Sequence, residues 1–135
     1  MAAEQRRRRR LTRSGDFDRV YRQGRSHANR YLVLYLFPRG EEGDEGDVRL
    51  GVSVSRKVGG AVERNRVKRA LREAFWTLAD LLPTGHDVVL VARPDITGLL
   101  DRDGVRGVGE ALRALLAESA GAGASVSRET GDGDA

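Results

Sequence analysis

The sequence predicts an α+β fold, a single compact α/β sandwich with its elements in the order α-β-β-α-β-α. Three observations carry this. Segments 30–37, 48–57 and 86–94 have strand patterning: β-branched and aromatic residues, strict alternation, or a short fully apolar run. Stretches at about 14–23, 61–80 and 103–119 carry apolar residues at helical spacing. A length of 135 residues suits one domain and leaves little room for a second. The domain is expected over 11–118. A basic arm (1–10) and a Gly/Ala/Ser-rich tail (119–135) lack the apolar surface that offsets ordering entropy and are expected to be disordered.

"LTRSGDFDRVYRQG" opens the domain. Ser14 is a candidate N-cap, Asp16 and Asp18 suit a first helical turn, and Gly24 suits the end. Phe17, Val20 and Tyr21 fall at i, i+3 and i+4 and share a face. Arg25–Ala28 leaves room for a short additional strand. "RYLVLYLF" is apolar on both faces, with Tyr31, Val33, Tyr35 and Phe37 on one and Leu32, Leu34 and Leu36 on the other, so a strand covered on both sides is expected. After the acidic loop "PRGEEGDEGD", "VRLGVSVSRK" alternates Val48, Leu50, Val52 and Val54 with Gly51, Ser53 and Ser55. The second face is all small: an ordinary solvated face, or room for a ligand to approach the backbone.

In the helix over 61–80, Val67, Ala70, Leu71, Ala74, Leu78 and Leu81 fall in one sector. Asn65, Lys68, Arg69 and Arg72 fall opposite, flanked by Arg64 and Arg66, with Trp76 near the polar sector. Pro83 and Gly85 end the element. "HDVVLVARP" is a strand with a continuous apolar centre, and Val105, Val108, Leu112 and Leu115 mark the last helix, whose first turns Gly104, Gly107 and Gly109 weaken.

Charge distribution says more than the formal net of +4. Residues 1–30 and 49–72 each carry +7, whereas 31–48 carry −4 and 73–135 carry −6. Two basic blocks offset by acidic ones are the footprint of a polyanion binder. Helix 61–80 is poor in carboxylates, having only Glu63 and Glu73 at the borders of its cations. A helix built for stability alone would mix the signs.

Catalytic candidates are thin. His27 and His86 have no metal-ligand spacing, and Ser53 and Ser55 have no neighbouring base in sequence. Glu41, Glu42, Asp44, Glu45 and Asp47 crowd a glycine-rich loop, which positions acid–base or metal chemistry poorly. No cysteine is present, which excludes disulfides and thiolate zinc sites, and no apolar run approaches a membrane span. Phe17, Tyr21 and Tyr35 suit core packing first; beside a basic groove, such rings also stack unpaired bases.

"LTRSGDFDRVYRQGRSHANRYLVLYLF", "RLGVSVSRKVGGAVERNRVKRALREAF" and "DVVLVARP" together resemble the protein subunit of bacterial ribonuclease P, over about 11–117. "GVSVSRKVGGAVERNRVKR" is the most specific piece and contains the family's Arg-Asn-Arg signature at Arg64, Asn65 and Arg66. The resemblance implies a left-handed βαβ crossover through the basic helix, against the usual hand. It implies an endoribonuclease holoenzyme that removes the 5′ leader of precursor tRNA, with catalysis in the RNA subunit and no catalytic protein side chain. By resemblance, Arg64, Asn65, Arg66, Lys68, Arg69 and Arg72 bind the RNA subunit. Phe17, Tyr21 and Tyr35 line a leader-binding cleft, with Asn29, Arg30, Ser53, Ser55, Arg56 and Lys57 at the cleft or its rim. The implied setting is cytoplasmic, with one protein per RNA, no membrane partner, no metal held by the protein alone, and Mg²⁺ required by the holoenzyme. Gly60 departs from the family, which often has asparagine before the helix. A noncatalytic RNA-binding module, such as a ribosomal or RNA-assembly protein, is the alternative, and a self-sufficient nuclease using Asp44 or Asp47 is a second rival.

Overall fold

A computed structural model describes residues 10–39, 48–78, 81–82 and 85–122. Its elements are α1 (Ser14–Gln23), β1 (Arg25–Ala28), β2 (Leu32–Pro38), β3 (Arg49–Ser53), α2 (Ala61–Trp76), β4 (His86–Ala92) and α3 (Ile96–Ala122). The order is therefore α-β-β-β-α-β-α, with the short extra strand realised as β1. The four strands form one mixed sheet in the order β1-β2-β4-β3. β4 is antiparallel to β2 and parallel to β3, so α2 is the crossover between parallel neighbours. Both faces of β4 are covered, which explains its unbroken apolar centre.

Strand alternation sorts the core into two layers. On one face, Leu32, Leu34 and Leu36 of β2, Leu50 and Val52 of β3, and Val88 and Leu90 of β4 meet α2 and α3. α2 packs over β3, and α3 over β1 and β2. Phe75, Leu71, Val67 and Leu112 are fully buried there, each contributing about 1.5–3 kcal/mol of burial. On the other face, α1 closes a smaller cluster of Leu11, Val20 and Val89, with Phe17, Tyr35, Phe37 and Val91 packed against it. Trp76 covers the edge of the larger core, edge-on to Phe75 at 5.0 Å between ring centres.

Several local expectations are corrected. Ser14 is the first helical residue; Arg13 holds the cap position without a side-chain bond, and Asp16 in the first turn pairs with Arg19. Gly24 ends α1 as expected, and its N–H donates to the Val20 carbonyl at 2.9 Å. α2 stops at Trp76, where the Thr77 hydroxyl donates to the Ala74 carbonyl at 2.8 Å. The last helix starts at Ile96, because Ile96, Leu99 and Leu100 already supply a buried helical face. It bends at Gly104, whose φ of 69° and ψ of −165° are open only to glycine. It then continues through Ala122, past the expected limit at 118, with Ser119 buried and its hydroxyl donating to the Leu116 carbonyl at 2.8 Å. Arg10 is likewise no part of a free arm: it bridges Leu50 in parallel register. The expectations for 1–9, 123–135 and the loop carboxylates Glu41, Glu42, Asp44, Glu45 and Asp47 lie outside the described residues.

Two buried polar groups stand out. Asp87 accepts a bidentate pair from Arg49, at 2.8 and 2.9 Å, and a third bond from Arg39 at 3.0 Å. This ties β3 to β4 and to the chain leaving β2. His27 of β1 is fully buried beneath α3, and neither ring nitrogen has a hydrogen-bond partner among the described residues.

Candidate nucleic-acid interface

β3 is one of the two edge strands, and its two faces carry different chemistry. Gly51 and Ser53 face α1. Gly51 is there to admit an aromatic ring: a Cβ at this position would lie 2.6 Å from Phe17 Cζ and 3.1 Å from Leu11 Cβ. The small-residue face is thus filled in part by the protein's own Phe17. Register places Gly51 opposite Val89, and Val89 opposite Tyr35, so Tyr35 lies on the same face two strands away. Tyr21 sits between them, 6.3 Å from Phe17 and edge-on to Tyr35 at 5.0 Å. The three rings that helical and strand periodicity placed separately form one cluster.

Tyr21 is the exposed member, at 37%. Burial of the ring raises the phenol pKa, Ser53 offsets part of that, and Tyr35 and Asp18 add to it. The phenol is therefore neutral at physiological pH. Arg19 lies over Phe37 at 5.7 Å, a cation–π contact on the same face.

Past Ser53, Ser55, Arg56 and Lys57 are exposed in the turn that leads to α2. The Ser55 hydroxyl accepts from the Lys57 N–H at 3.3 Å, which shapes that turn. β3 and β4 finish at the end of the sheet where β2 begins, so the Asn29–Arg30 turn shares this end. The structure gives Asn29 a backbone role: its Oδ1 accepts from the N–H groups of Tyr31 and Leu32 at 2.9 and 3.0 Å, and its Nδ2 donates to the Ala111 carbonyl at 3.3 Å. Arg30 is exposed, lies over Tyr31 and donates to Asp95 at 3.4 Å. Neither residue joins the aromatic cluster.

α2 lies on the opposite face of β3. Its buried side is Val67, Ala70, Leu71, Ala74 and Phe75. Phe75 was missed by the sequence reading, although its i+4 spacing from Leu71 was available to find it. The helix starts at Gly60 without a side-chain cap. Asn65 and Arg69 are exposed, and Arg64, Lys68 and Arg72 are partly so. Among the described residues no carboxylate pairs with Lys68, Arg69 or Arg72. Arg64 reaches only the Gly60 carbonyl, at 3.4 Å. Arg66 is different: its guanidinium is bonded to Glu63 on its own helix and to Asp101 on α3. These bonds, the one to Asp101 foremost, raise its pKa. Helical spacing groups Arg66 with the other cations; Glu63, three positions before it, is a local partner, and the second carboxylate, Asp101, comes from another element.

The fold and this edge define a class: small α+β domains that hold an aromatic cluster on one face of an edge strand and a cationic helix on the other. The family profile of Ribonuclease P matches residues 6–117. The Ribonuclease P protein component of Caldanaerobacter subterraneus is 46% identical over 86 residues, covering 64% of this chain and 71% of that protein. That of Oenococcus oeni is 42% identical over 89 residues, covering 66% and 73%. The RNase P proteins of Staphylococcus aureus and Thermotoga maritima superpose with TM-scores of 0.68 and 0.69 at 34% identity. The superpositions cover 80% and 79% of this chain and 92% and 94% of those proteins. The chain belongs to the Ribonuclease P protein family, and thus among the protein components of a tRNA-processing ribonucleoprotein.

Proposed function

We propose that this chain binds the RNA subunit of ribonuclease P through α2, holds the single-stranded 5′ leader of precursor tRNA at the Phe17–Tyr21–Tyr35 cluster, and so assists leader removal. The carrying observation is the two-faced edge strand. On one side stand cations that no carboxylate among the described residues neutralises. On the other stands a part-exposed aromatic cluster. The cations offset the repulsion between polyanions, and Arg forks suit phosphate oxygens. Tyr21, the exposed ring, offers a face or edge to an unstacked base, and its edge-on contact with Tyr35 holds it in the cluster.

The described carboxylates do not gather into a metal-holding group of three or more. Asp87 is bound by two arginines, and Glu63 and Asp101 by Arg66. This set does not fit a resident Mg²⁺, and we assign the holoenzyme's metal requirement to RNA phosphates. Within this reading the protein positions and neutralises, one protein serves each RNA, and the complex works in the cytoplasm. None of the described helices is long and apolar enough to cross a membrane.

Reconstitution tests the reading. The full chain is mixed with ribonuclease P RNA and precursor tRNA at near-physiological Mg²⁺. Leader cleavage should rise well above that of the RNA alone. Tyr35→Ala should weaken leader-bearing precursor by about 1–3 kcal/mol while leaving mature tRNA nearly unaffected. No stimulation by the unaltered protein leaves a noncatalytic RNA-binding module; equal losses on both RNAs remove the leader role.

A further inference from the structure

Arg66 and Arg72 lie on the same helix in opposite surroundings. Arg66 has two carboxylates. Arg72 is half-buried and bonded to no carboxylate among the described residues. The charged group that acts on it is another cation, Arg10.

Backbone geometry brings Arg10 there. It bridges Leu50 in parallel register, and the next residue, Leu11, donates its N–H to the Leu50 carbonyl at 2.8 Å. The Leu11 side chain is buried against Val20 and Val89, which pins the segment. β4 occupies the inner side of β3, so this bridge runs along the open edge of the sheet. α2 packs over β3 as the crossover between parallel strands, so it runs back from the Ser53 end and its last turns, with Arg72, return toward the start of β3 at Leu50, whose face the bridged Arg10 side chain shares. Burial first, and Arg10 second, disfavour the charged form of Arg72. Two guanidinium groups on the same side of this edge oppose each other in the free chain. An anion between them reverses the sign, because each cation then gains a charge-assisted bond to it.

We propose that Arg10 and Arg72 form a two-arginine phosphate site at the β3 edge that takes one phosphodiester of an RNA backbone. The site deepens the function proposed above and rests on it for the identity of the RNA. The RNA subunit and the precursor leader offer the same chemical group, and the test separates them.

Arg10→Gln, Arg72→Gln and the double variant are compared with the unaltered full chain, with Arg113→Gln on the exposed side of α3 as control. In thermal unfolding without RNA, inorganic phosphate should raise the midpoint of the unaltered and control proteins, less in each single variant and not in the double. Equal rises in all proteins overturn the site. In binding to ribonuclease P RNA across a salt series, each single variant should lower the slope of log affinity by about one, and the double by little more, because both side chains hold one phosphate. Slopes that add independently overturn the shared site. If the loss appears only with precursors carrying a long leader, and not with the RNA subunit, the site holds and its phosphate is the leader's. Arg69→Ala keeps the two readings apart. RNA binding lost there but intact in the Arg10 and Arg72 variants sinks this site alone. Absence of RNA binding by the unaltered chain sinks the proposed function, and the phosphate titration still judges the site.

Discussion

Gly51→Ala tests the link between the edge strand and the aromatic cluster. The new methyl carbon would start 2.6 Å from Phe17 Cζ, 2.9 Å from Cε2 and 3.1 Å from Leu11 Cβ. The first two contacts are too short to persist. The Phe17 ring, only partly buried, must swing away; Leu11 Cβ, tied to the bridged backbone, must give by a few tenths of an ångström. Overpacking of this kind costs about 1–3 kcal/mol, and partial relief by the ring favours the lower half. At about 4–8 °C per kcal/mol for a domain of about 100 residues, the unfolding midpoint should fall by roughly 4–16 °C. The ring also leaves its place beside Tyr21. If the cluster stacks a leader base, up to about 1–3 kcal/mol is at risk, or about tenfold in affinity per 1.4 kcal/mol, for leader-bearing RNA alone. Calorimetry and binding to precursor and mature tRNA measure both effects. Phe17→Leu in the Gly51→Ala background should restore stability without restoring leader affinity. Stability unchanged by Gly51→Ala refutes the packing, and equal losses on both RNAs refute the role of the cluster.

Three further outcomes are expected. Asp101→Asn frees one edge of Arg66 and removes an anion from the cationic helix, so RNA-subunit affinity should rise at low salt with little change in stability; weaker binding in a salt-series titration opposes this. Asp87→Ala removes the buried acceptor shared by Arg39 and Arg49 and should cost about 3 kcal/mol in urea unfolding, at the low end for a buried pair because Arg39 keeps its 2.9 Å bond to the His86 carbonyl. His27 has its pKa lowered by burial, with Glu118 pulling it back and Arg25 pushing it further down. The unfolded chain therefore takes up this proton first: stability is full above the ordinary value of 6.5 and falls as pH drops from there toward the depressed value. His27→Leu should remove that part of the acid slope and leave neutral stability equal or higher, since two unpartnered buried nitrogens disappear; an undiminished slope in urea titrations at pH 5 to 8 counts against it.

Much of the fold was legible because its signals are local. The i, i+3, i+4 triad of Phe17, Val20 and Tyr21 sets the sheet-facing side of α1, with Val20 buried, Phe17 partly buried and Tyr21 at the exposed margin. The alternation of Leu50 and Val52 with Gly51 and Ser53 sets both faces of β3. Boundaries were less legible where glycine misleads. Gly104 reads as a poor helix start, yet here it is a bend inside a helix already begun at Ile96. Backbone freedom at such a residue permits either outcome, and burial of Ile96 and Leu99 selects the second. The continuation to Ala122 has the same cause: Leu115 and Leu116 hold the helix on the core, and Ser119, where the stretch that reads as tail begins, is still buried.

At the candidate site, residue type was legible and pairing was not. Helical spacing separates the cations of α2 from its core side, but it treats Arg66, Arg69 and Arg72 alike. What distinguishes them is supplied by distant segments: Asp101, 35 positions on, neutralises Arg66, whereas Arg10, bridged to β3, repels Arg72. A charge run in one helix therefore has no fixed meaning until its neighbours are known. With Asp101 beside it, a cation serves first as a link between helices. With a second arginine beside it, the same side chain favours an anion from outside the chain. Asn29 follows the same logic. In sequence it adjoins Arg30 and suggests the rim of a cleft, yet three hydrogen bonds to backbone groups occupy its amide. Its replacement by alanine would act first on the β1–β2 turn and its contact with α3, and only through them on RNA.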